Sequence, residues 1–434
     1  MDHDACPYFG DNMDATTPFL PEEQKLGQIQ GENAEPGSTS SGPSSKEFVF
    51  SFRGKDVLHI PLPIFNVFLT IMTILGNLMM VVTLPLLSQS MTTANSTDEY
   101  PVLFFSSLWF PLFFFLLVGI NKYIEPTMPL RPTVSHRTMI LVGALNSMNG
   151  LLVVYASDPS RTSPQLQSIL STSIIPFTVI CRFIILRKGV SRARLVCTGV
   201  VLIGLFISLE PVIFSVDQPK ADGDVGSNSS PSVEGSSGIS HVIWPFVFTL
   251  GFLPLGILNS ILERELKQDD TESLIFQAFV QLYSTIIIWG LFWTDFIPGF
   301  GAARSPQEFW DNLSHGARCM YGQDPECSDA VLYSALFIIA YCLANLFIFL
   351  LVRFAEGAVY LVVVQALVTP LGALFWTLFS SDPSFHWHPV FNLATGFVLA
   401  GLLIMVPAVV MYNYFGAQER KAEEQRAQAS TSDD

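Results

Sequence analysis

The chain has 434 residues, of which half are hydrophobic and only 14% charged, and its formal net charge is −15. A soluble domain carries about a quarter charged residues; here the apolar residues instead form blocks of roughly 20, the length a helix needs to cross about 30 Å of hydrocarbon. That excludes a soluble enzyme or binding domain, and the acidic balance, held in tails and loops, argues against nucleic acid as a partner.

In chain order, residues 1–45 are rich in Asp, Glu, Pro, Gly and Ser and are expected to be a disordered cytosolic tail. That tail is acid-rich and poor in Arg, the reverse of a transit peptide, and no signal peptide is legible before the first span. Its Glu22-Glu23-Gln24-Lys25-Leu26 stretch lacks the second apolar residue of an acidic-leucine sorting signal. Spans are expected at 63–88, 101–120, 136–157, 165–186, 192–215, 241–262, 273–297, 329–352, 356–379 and 389–413. The fold class is therefore an all-α polytopic membrane protein of ten helices. Its expected parts are a first five-helix repeat at 46–215, a lumenal linker at 216–240, and a second five-helix repeat at 241–415. The second repeat holds a lumenal cysteine loop at 298–328, and a cytosolic tail follows at 416–434. Phe and Leu runs such as Phe113-Phe114-Phe115 are expected to face lipid.

Ten spans put both termini on one side, and basic residues say which. With cytosolic termini, only Arg161, Lys220, Arg304 and Arg318 lie on the far side and Arg182 within span four; the rest of the 22 are cytosolic. The Asn-x-Ser/Thr sequons at Asn95, Asn228 and Asn312 all fall in non-cytosolic loops and are candidate glycosylation sites. Cys319 and Cys327 share a non-cytosolic loop, where an oxidising lumen favours a disulfide. Cys6, Cys181, Cys197 and Cys342 are expected to stay reduced.

Many transporters are two copies of one helical unit inserted in opposite directions. Asn149 in span three is followed by Pro176 in span four, as Asn345 in span eight is followed by Pro370 in span nine. A five-plus-five division with an odd number of spans gives opposite orientations to the two copies.

Three stretches carry a family resemblance. They are Gln167-Ser168 with Ile175-Pro176, then Ile185-Leu186-Arg187 with Gly199 and Leu209-Glu210, and finally Trp310-Asp311-Asn312 with Gly316 and Cys319. Across about residues 60–415 the chain resembles the chloroquine-resistance-transporter-like family of the drug/metabolite transporter superfamily. Members often carry four lumenal cysteines, whereas only Cys319 and Cys327 are present here. The resemblance implies ten helices in two inverted halves around a central cavity. It also implies carriage of peptides, amino acids or glutathione-like thiols, and in some members cationic drugs.

Ionisable groups at membrane depth are costly and therefore candidates for function. Glu210, at the lumenal end of span five before Pro211, matches a family acidic position and is the candidate for proton or cation coupling; a carboxylate wetted by loop water is the plainer alternative. Arg182 is expected to snorkel to the headgroups beside Arg187. No other Lys or Arg lies inside a span, which disfavours phosphate-bearing substrates that need a basic clamp. The candidate substrate-binding set is uncharged: Asn77, Asn146, Asn149, Gln167, Ser171, Ser173, Asn345, Gln365 and Thr369. Several precede Pro176 or Pro370, and a proline frees the carbonyl one turn earlier. Interhelical hydrogen bonding is the alternative role for any one of them. His241, His315, His386 and His388 lie on the lumenal side and would charge in an acidic lumen. His386-Trp387-His388 offers two ligands, too few for zinc, so neither metal nor cofactor is expected.

No nucleophile with its base, no paired aspartates, no zinc-protease motif and no phosphate loop is legible. The expected function is thus proton-coupled secondary transport of a small solute across an endomembrane, by a monomer in the lipid bilayer. The alternatives are a non-transporting receptor or scaffold, and a drug/metabolite carrier of another substrate class such as a nucleotide sugar. A vacuolar or lysosomal membrane is expected first, then the plasma membrane, then a plastid envelope.

Overall fold

A computed structural model describes residues 47–52, 55–91, 100–126, 128–156, 161–162, 167, 170–187, 189–214, 240–267, 272–298, 300–301, 303–327, 329–380, 386–389, 391 and 393–432. The expected N-terminal tail with Cys6, the sequons at Asn95 and Asn228, Ser168 and nearly all of the 216–240 linker lie outside the described residues.

The chain enters the bundle through an antiparallel hairpin, β1 (Glu47–Phe52) and β2 (Lys55–Pro61), in a segment the sequence reading gave no element. Alternating aromatic and β-branched residues suit that pleat. The helices follow as α1 (Leu62–Met91), α2 (Tyr100–Ile124), α3 (His136–Ala156), α4 (Ile174–Leu186), α5 (Arg192–Phe214), α6 (Ser240–Leu266) and α7 (Ser273–Gly290). Next come α8 (Pro306–Met320), α9 (Ala330–Phe354), α10 (Ala358–Gln365), α11 (Val368–Leu378) and α12 (Leu393–Ser432). Between α11 and α12, β3 (Phe379–Ser380) pairs antiparallel with β4 (His386–Trp387).

Among the described residues, eight helical stretches are long and apolar enough to cross a membrane, and α4 is a shorter apolar helix. Several boundaries depart from the sequence reading. Span seven ends as an α-helix at Gly290 and continues as a 3-10 turn, Phe292–Phe296. The expected cysteine loop contains α8. The C-terminal tail is helical, because α12 runs unbroken for 40 residues despite Pro407. Phe114 is fully buried rather than lipid-facing, while Phe115 is exposed. A run of three successive residues wraps around most of a helix turn, so it cannot point one way.

Four helix pairs dominate the packing, and each is antiparallel. Along α1 and α9, Phe65 meets Phe354 and Gly76 lies against Ala344. For α3 and α6, Asn149 reaches Gly251, while Arg161 beyond α3 lies over Trp244. In the α2–α7 pair the Tyr100 hydroxyl donates to the Ile288 carbonyl and Thr285 donates to the Ser107 carbonyl. The α5–α12 pair sets Arg194 beside Tyr412 and Ser208 beside Gly401. Two further contacts are parallel. In α4 against α6, Arg182 meets Glu263 and Thr178 meets Gly256; against α1, Tyr360 of α10 meets Thr70 and Gly372 of α11 meets Val81.

Burial follows composition. Every residue of α10 from Ala358 to Val364 is at most 2% exposed, as expected of a helix that is apolar all round. In contrast, α1 exposes Ile64, Phe68, Ile71 and Leu75 in one stripe, a lipid-facing surface by spacing. A side chain at Gly76 would place its Cβ 2.9 Å from the Ala344 backbone. Backbone cannot yield as a side chain can, so Gly76→Val should separate α1 from α9 and cost about 1–3 kcal/mol. Thermal unfolding followed by size-exclusion fluorescence checks this; an unchanged transition would contradict the close packing.

Candidate functional site

Two of the spans are interrupted at matching places. In span four, Gln167, Leu170 and Ser171 are helical, Thr172 and Ser173 form a turn, and α4 restarts at Ile174. In span nine, α10 ends at Gln365, Ala366 and Leu367 form a turn, and α11 starts at Val368. Pro176 and Pro370 are each the third residue of the restarted helix. Proline has no N–H for the carbonyl four residues back, here Thr172 and Ala366, so the ladder tightens. Ser173 N–H donates to the Leu170 carbonyl at 3.0 Å, and Leu367 N–H to Val364 at 3.1 Å. The α-type bonds then resume, Phe177 to Ser173 at 3.1 Å and Leu371 to Leu367 at 3.2 Å. The two interrupted helices also pack against each other, through α4 and α10.

The uncharged candidates sort into two groups. Asn77 is buried, donates to the Thr73 carbonyl at 2.8 Å, and its Oδ1 lies 3.5 Å from Nε2 of Gln365. From α3, Asn146 donates to Oγ of Ser284 on α7 at 3.1 Å and to the Tyr341 hydroxyl on α9 at 3.4 Å. That hydroxyl also faces the side chains of Gln281 and Asn345, and Asn345 donates to the Tyr341 carbonyl at 2.9 Å. Ser147 completes the cluster against Ser284. Other candidates are placed differently. Asn149 donates to the Gly251 carbonyl at 2.9 Å and so ties α3 to α6, while Gln167 donates to the Thr162 carbonyl. Ser171 and Thr369 are half-buried, and the Ser173 hydroxyl is buried with no partner among the described residues.

The charged residues give the largest departure from the sequence reading. Arg182 does not snorkel: it is 7% exposed and turned inward onto Glu263, which is 5% exposed. Its Nε lies 2.9 and 3.1 Å from the two carboxylate oxygens, and Nη2 lies 2.9 Å from Oε1. Nη1 donates to the Gly189 carbonyl. Glu263 in turn accepts the Ala358 backbone N–H at 2.9 Å, at the start of α10, where a carboxylate also complements the helix dipole. Gly357 makes this approach possible. It sits at φ 89°, and a Cβ there would lie 2.5 Å from the Glu263 carboxylate. Alongside, Arg194 bonds Glu419 and lies 3.6 Å from buried Glu356. Lys267 donates to the Ala355 carbonyl. This charged layer joins α4, α5, α6, α10 and α12 at one end of the bundle.

At the opposite end of α5, Glu210 is half-buried and the helix continues past Pro211 to Phe214, so the carboxylate does not end its helix. A second acid there was missed by sequence reasoning: Asp295, fully buried in the 3-10 turn, accepts the Tyr155 hydroxyl at 3.0 Å. Cys319 and Cys327 are joined by a disulfide, their Cα atoms 5.1 Å apart. Cys181, Cys197 and Cys342 are free and buried. Helix α8 is capped by Ser305, whose hydroxyl accepts Glu308 N–H, while the Glu308 carboxylate accepts Arg304 N–H one residue before the cap. It buries Phe309, Leu313 and Gly316 and exposes Trp310. Asn312 therefore lies on a helix, half-buried.

Glu263, Ser284, Gln281 and Tyr341 were also missed. Glu263 closes its helix in a Glu-Arg-Glu run that reads as solvent-exposed, and only the positive-φ Gly357 beside Glu356 hinted at a close polar approach.

Eight membrane-length helices among the described residues, two polar spans interrupted at proline, and a polar cluster define a multi-pass helical membrane protein. The chain belongs to the chloroquine-resistance-transporter-like family, whose pattern it matches over residues 69–412. It is 23% identical over 311 residues to the chloroquine resistance transporter of Toxoplasma gondii, covering 68% of this chain and 32% of that one. It is 22% identical to Crt homolog 3 and 24% identical to Crt homolog 1 of Dictyostelium discoideum, each match covering 62% of this chain. Those matches span 56% and 58% of the two relatives, so the chain spans under two thirds of each curated relative.

The ion pair sets a clear mutational expectation. Removing one partner of a buried pair leaves an uncompensated charge and costs about 3–5 kcal/mol, whereas replacing both by apolar residues of similar volume is nearly neutral. Glu263→Gln should therefore lower the unfolding temperature more than the double change Arg182→Met with Glu263→Leu. Gly357→Ala should resemble Glu263→Gln. Equal stability of all four proteins would show that the pair is solvated rather than buried.

Proposed function

We propose that the protein is a secondary carrier that moves small peptides, amino acids or glutathione-like thiols, and also cationic drugs, across an endomembrane by alternating access. The observation that carries this reading is the paired interruption at Pro176 and Pro370. Interrupted spans in corresponding positions of two halves bring irregular backbone and polar side chains to membrane depth, where transporters bind their substrates. The name of the Toxoplasma gondii relative, chloroquine resistance transporter, supports the same class.

Ten spans in two inverted halves fit the packing. Matching α1, α2, α3, α4 and α5 with α6, α7, α9, α10–α11 and α12 turns the α1–α9 contact into the α6–α3 contact. The same exchange turns α4–α6 into α1 with α10–α11, direction included, and maps α2–α7 and α5–α12 onto themselves. In this reading the binding site is the hydrogen-bonding surface of Asn77, Gln365, Asn146, Ser284, Tyr341 and Asn345. Uncharged donors and acceptors suit a zwitterionic backbone and leave side-chain selectivity loose. Among the described residues the buried Arg182 is occupied by Glu263, and Arg194 by Glu356 and Glu419, which argues against a basic clamp for a phosphate. The charged layer around that pair closes the mouth on the side we assign to the cytosol, with both termini there and the membrane vacuolar or lysosomal. Protons entering from an acidic lumen couple through Glu210; Asp295 is a second acid at the same end of the bundle. Acceptor sequons favour surface loops, so glycans belong at Asn95 and Asn228 rather than on the helical Asn312.

Uptake of labelled glutathione, a dipeptide and arginine into proteoliposomes, with and without a proton gradient, tests the reading. Saturable uptake of at least one class is expected. Asn146→Ala and Gln365→Ala should each raise KM about 5- to 10-fold, the worth of roughly one buried hydrogen bond. No saturable uptake by folded protein would remove the carrier. Separately, Glu210→Gln should flatten the pH dependence of transport; an unchanged profile would remove Glu210 from coupling and leave Asp295→Asn as the next variant to compare.

A further inference from the structure

The second chemical centre of the molecule lies in α8 and the turn that follows it. His315 and Cys319 are four residues apart on α8 and so share a face. Past the helix, Tyr321 N–H returns to Ala317 and Gln323 N–H to Arg318, and Gly322, at φ 70°, turns the chain back. This reversal brings Asp324 and Cys327 to that same face. Nε2 of His315 lies 3.7 Å from Sγ of Cys319, and Nδ1 lies 3.6 Å from Oδ2 of Asp324. The donor atoms of His315, Cys319 and Cys327 all lie within 4.8 Å of one another. Both sulfurs are buried, while the His315 and Asp324 side chains are about one-fifth exposed and leave a way in from solvent.

We infer that this is a redox-gated zinc site: oxidised, the two cysteines form the disulfide; reduced, they and His315 hold a divalent zinc ion. Zinc bonds of about 2.3 Å to sulfur and about 2.0–2.1 Å to nitrogen, at tetrahedral angles, set nitrogen and sulfur about 3.5 Å apart. The His315–Cys319 separation already matches that edge, so opening the disulfide is the main change required. A histidine ligand also needs its second ring nitrogen held, most often by a carboxylate, and Asp324 stands there. Three protein ligands leave the fourth position to water. The reduction balances with a low-molecular-weight thiol. One thiolate attacks a sulfur of the bridge and forms a mixed disulfide, releasing the other cysteine as thiolate. A second thiol then displaces the first cysteine, giving the oxidised thiol dimer and two protein thiols. Zinc binding next releases two protons from Cys319 and Cys327. The site does not depend on which solute the bundle carries.

The test uses the full-length protein, purified, stripped of metal with a chelator, and titrated with cobalt(II) as the probe before and after reduction by a phosphine. Reduced protein should show the thiolate-to-cobalt charge-transfer band and tetrahedral visible bands at one equivalent, with zinc displacing the cobalt. Oxidised protein should show neither. Cys319→Ser should abolish the bands, which separates this site from the free cysteines. His315→Ala, which keeps the disulfide and hence the fold, should weaken binding sharply, and Asp324→Asn should weaken it about 10–100-fold. Absence of the charge-transfer band from reduced, folded wild-type protein would overturn the assignment. So would affinity unchanged by His315→Ala.

Discussion

Arg182 and Glu263 are two charges withdrawn from water, and each is acceptable there only because of the other. The carboxylate meets the guanidinium through both oxygens and accepts the first N–H of α10 as well. One interaction therefore fixes the end of α4, the end of α6 and the start of α10. The remaining charged contacts, Arg194 with Glu419 and Glu356, sit beside it and extend the layer to α5 and α12. Breaking the pair one-sidedly is expensive, so these helix ends move together or not at all while it holds. That property suits a mouth with two discrete states.

The charged layer and the polar interior divide the work. At the charged end, α10 is so tightly enclosed that Gly357 is needed to admit the Glu263 carboxylate. Further along, the same span loses its regular ladder at Ala366–Leu367, ahead of Pro370, as span four does ahead of Pro176. Rigid, apolar, buried helix thus gives way to irregular backbone, with Gln365 at the break reaching Asn77. A bundle made this way can hold a polar solute without exposing irregular backbone to lipid.

What the sequence made legible is what depends on hydropathy and on single residues with strong rules. Blocks of apolar residues located every described membrane-length helix, and Pro176 and Pro370 stood out as prolines that free a carbonyl, although spans four and nine read as unbroken. The spacing of Cys319 and Cys327 pointed to their bridge. What stayed hidden depends on partners distant in the chain. Arg182 next to Arg187 reads as a headgroup contact until α6 brings Glu263 inward. Phe114 looks like lipid-facing surface until its rotation about α2 is fixed by neighbouring helices. Asn149 looked equal to Asn146, yet one ties α3 to α6 and the other reaches the Tyr341 cluster. His315 was visible as a lumenal histidine, but only the reversal at Gly322 sets it between a sulfur and a carboxylate. Helix α8 was hidden because its apolar face is too short for a hydropathy window, though its capping residues, Ser305 and Glu308, were in plain view.

The central claim is that the Arg182–Glu263 layer holds one mouth of a two-state carrier shut. The most direct test is the distance distribution between spin labels at Arg187 and Arg264, on the ends of α4 and α6, in lipid nanodiscs. The account predicts one short population in wild type and a second, longer population that grows in the Glu263→Gln variant at temperatures where that variant remains folded. A single unchanged distribution in both proteins, under every substrate and pH condition tried, would contradict it.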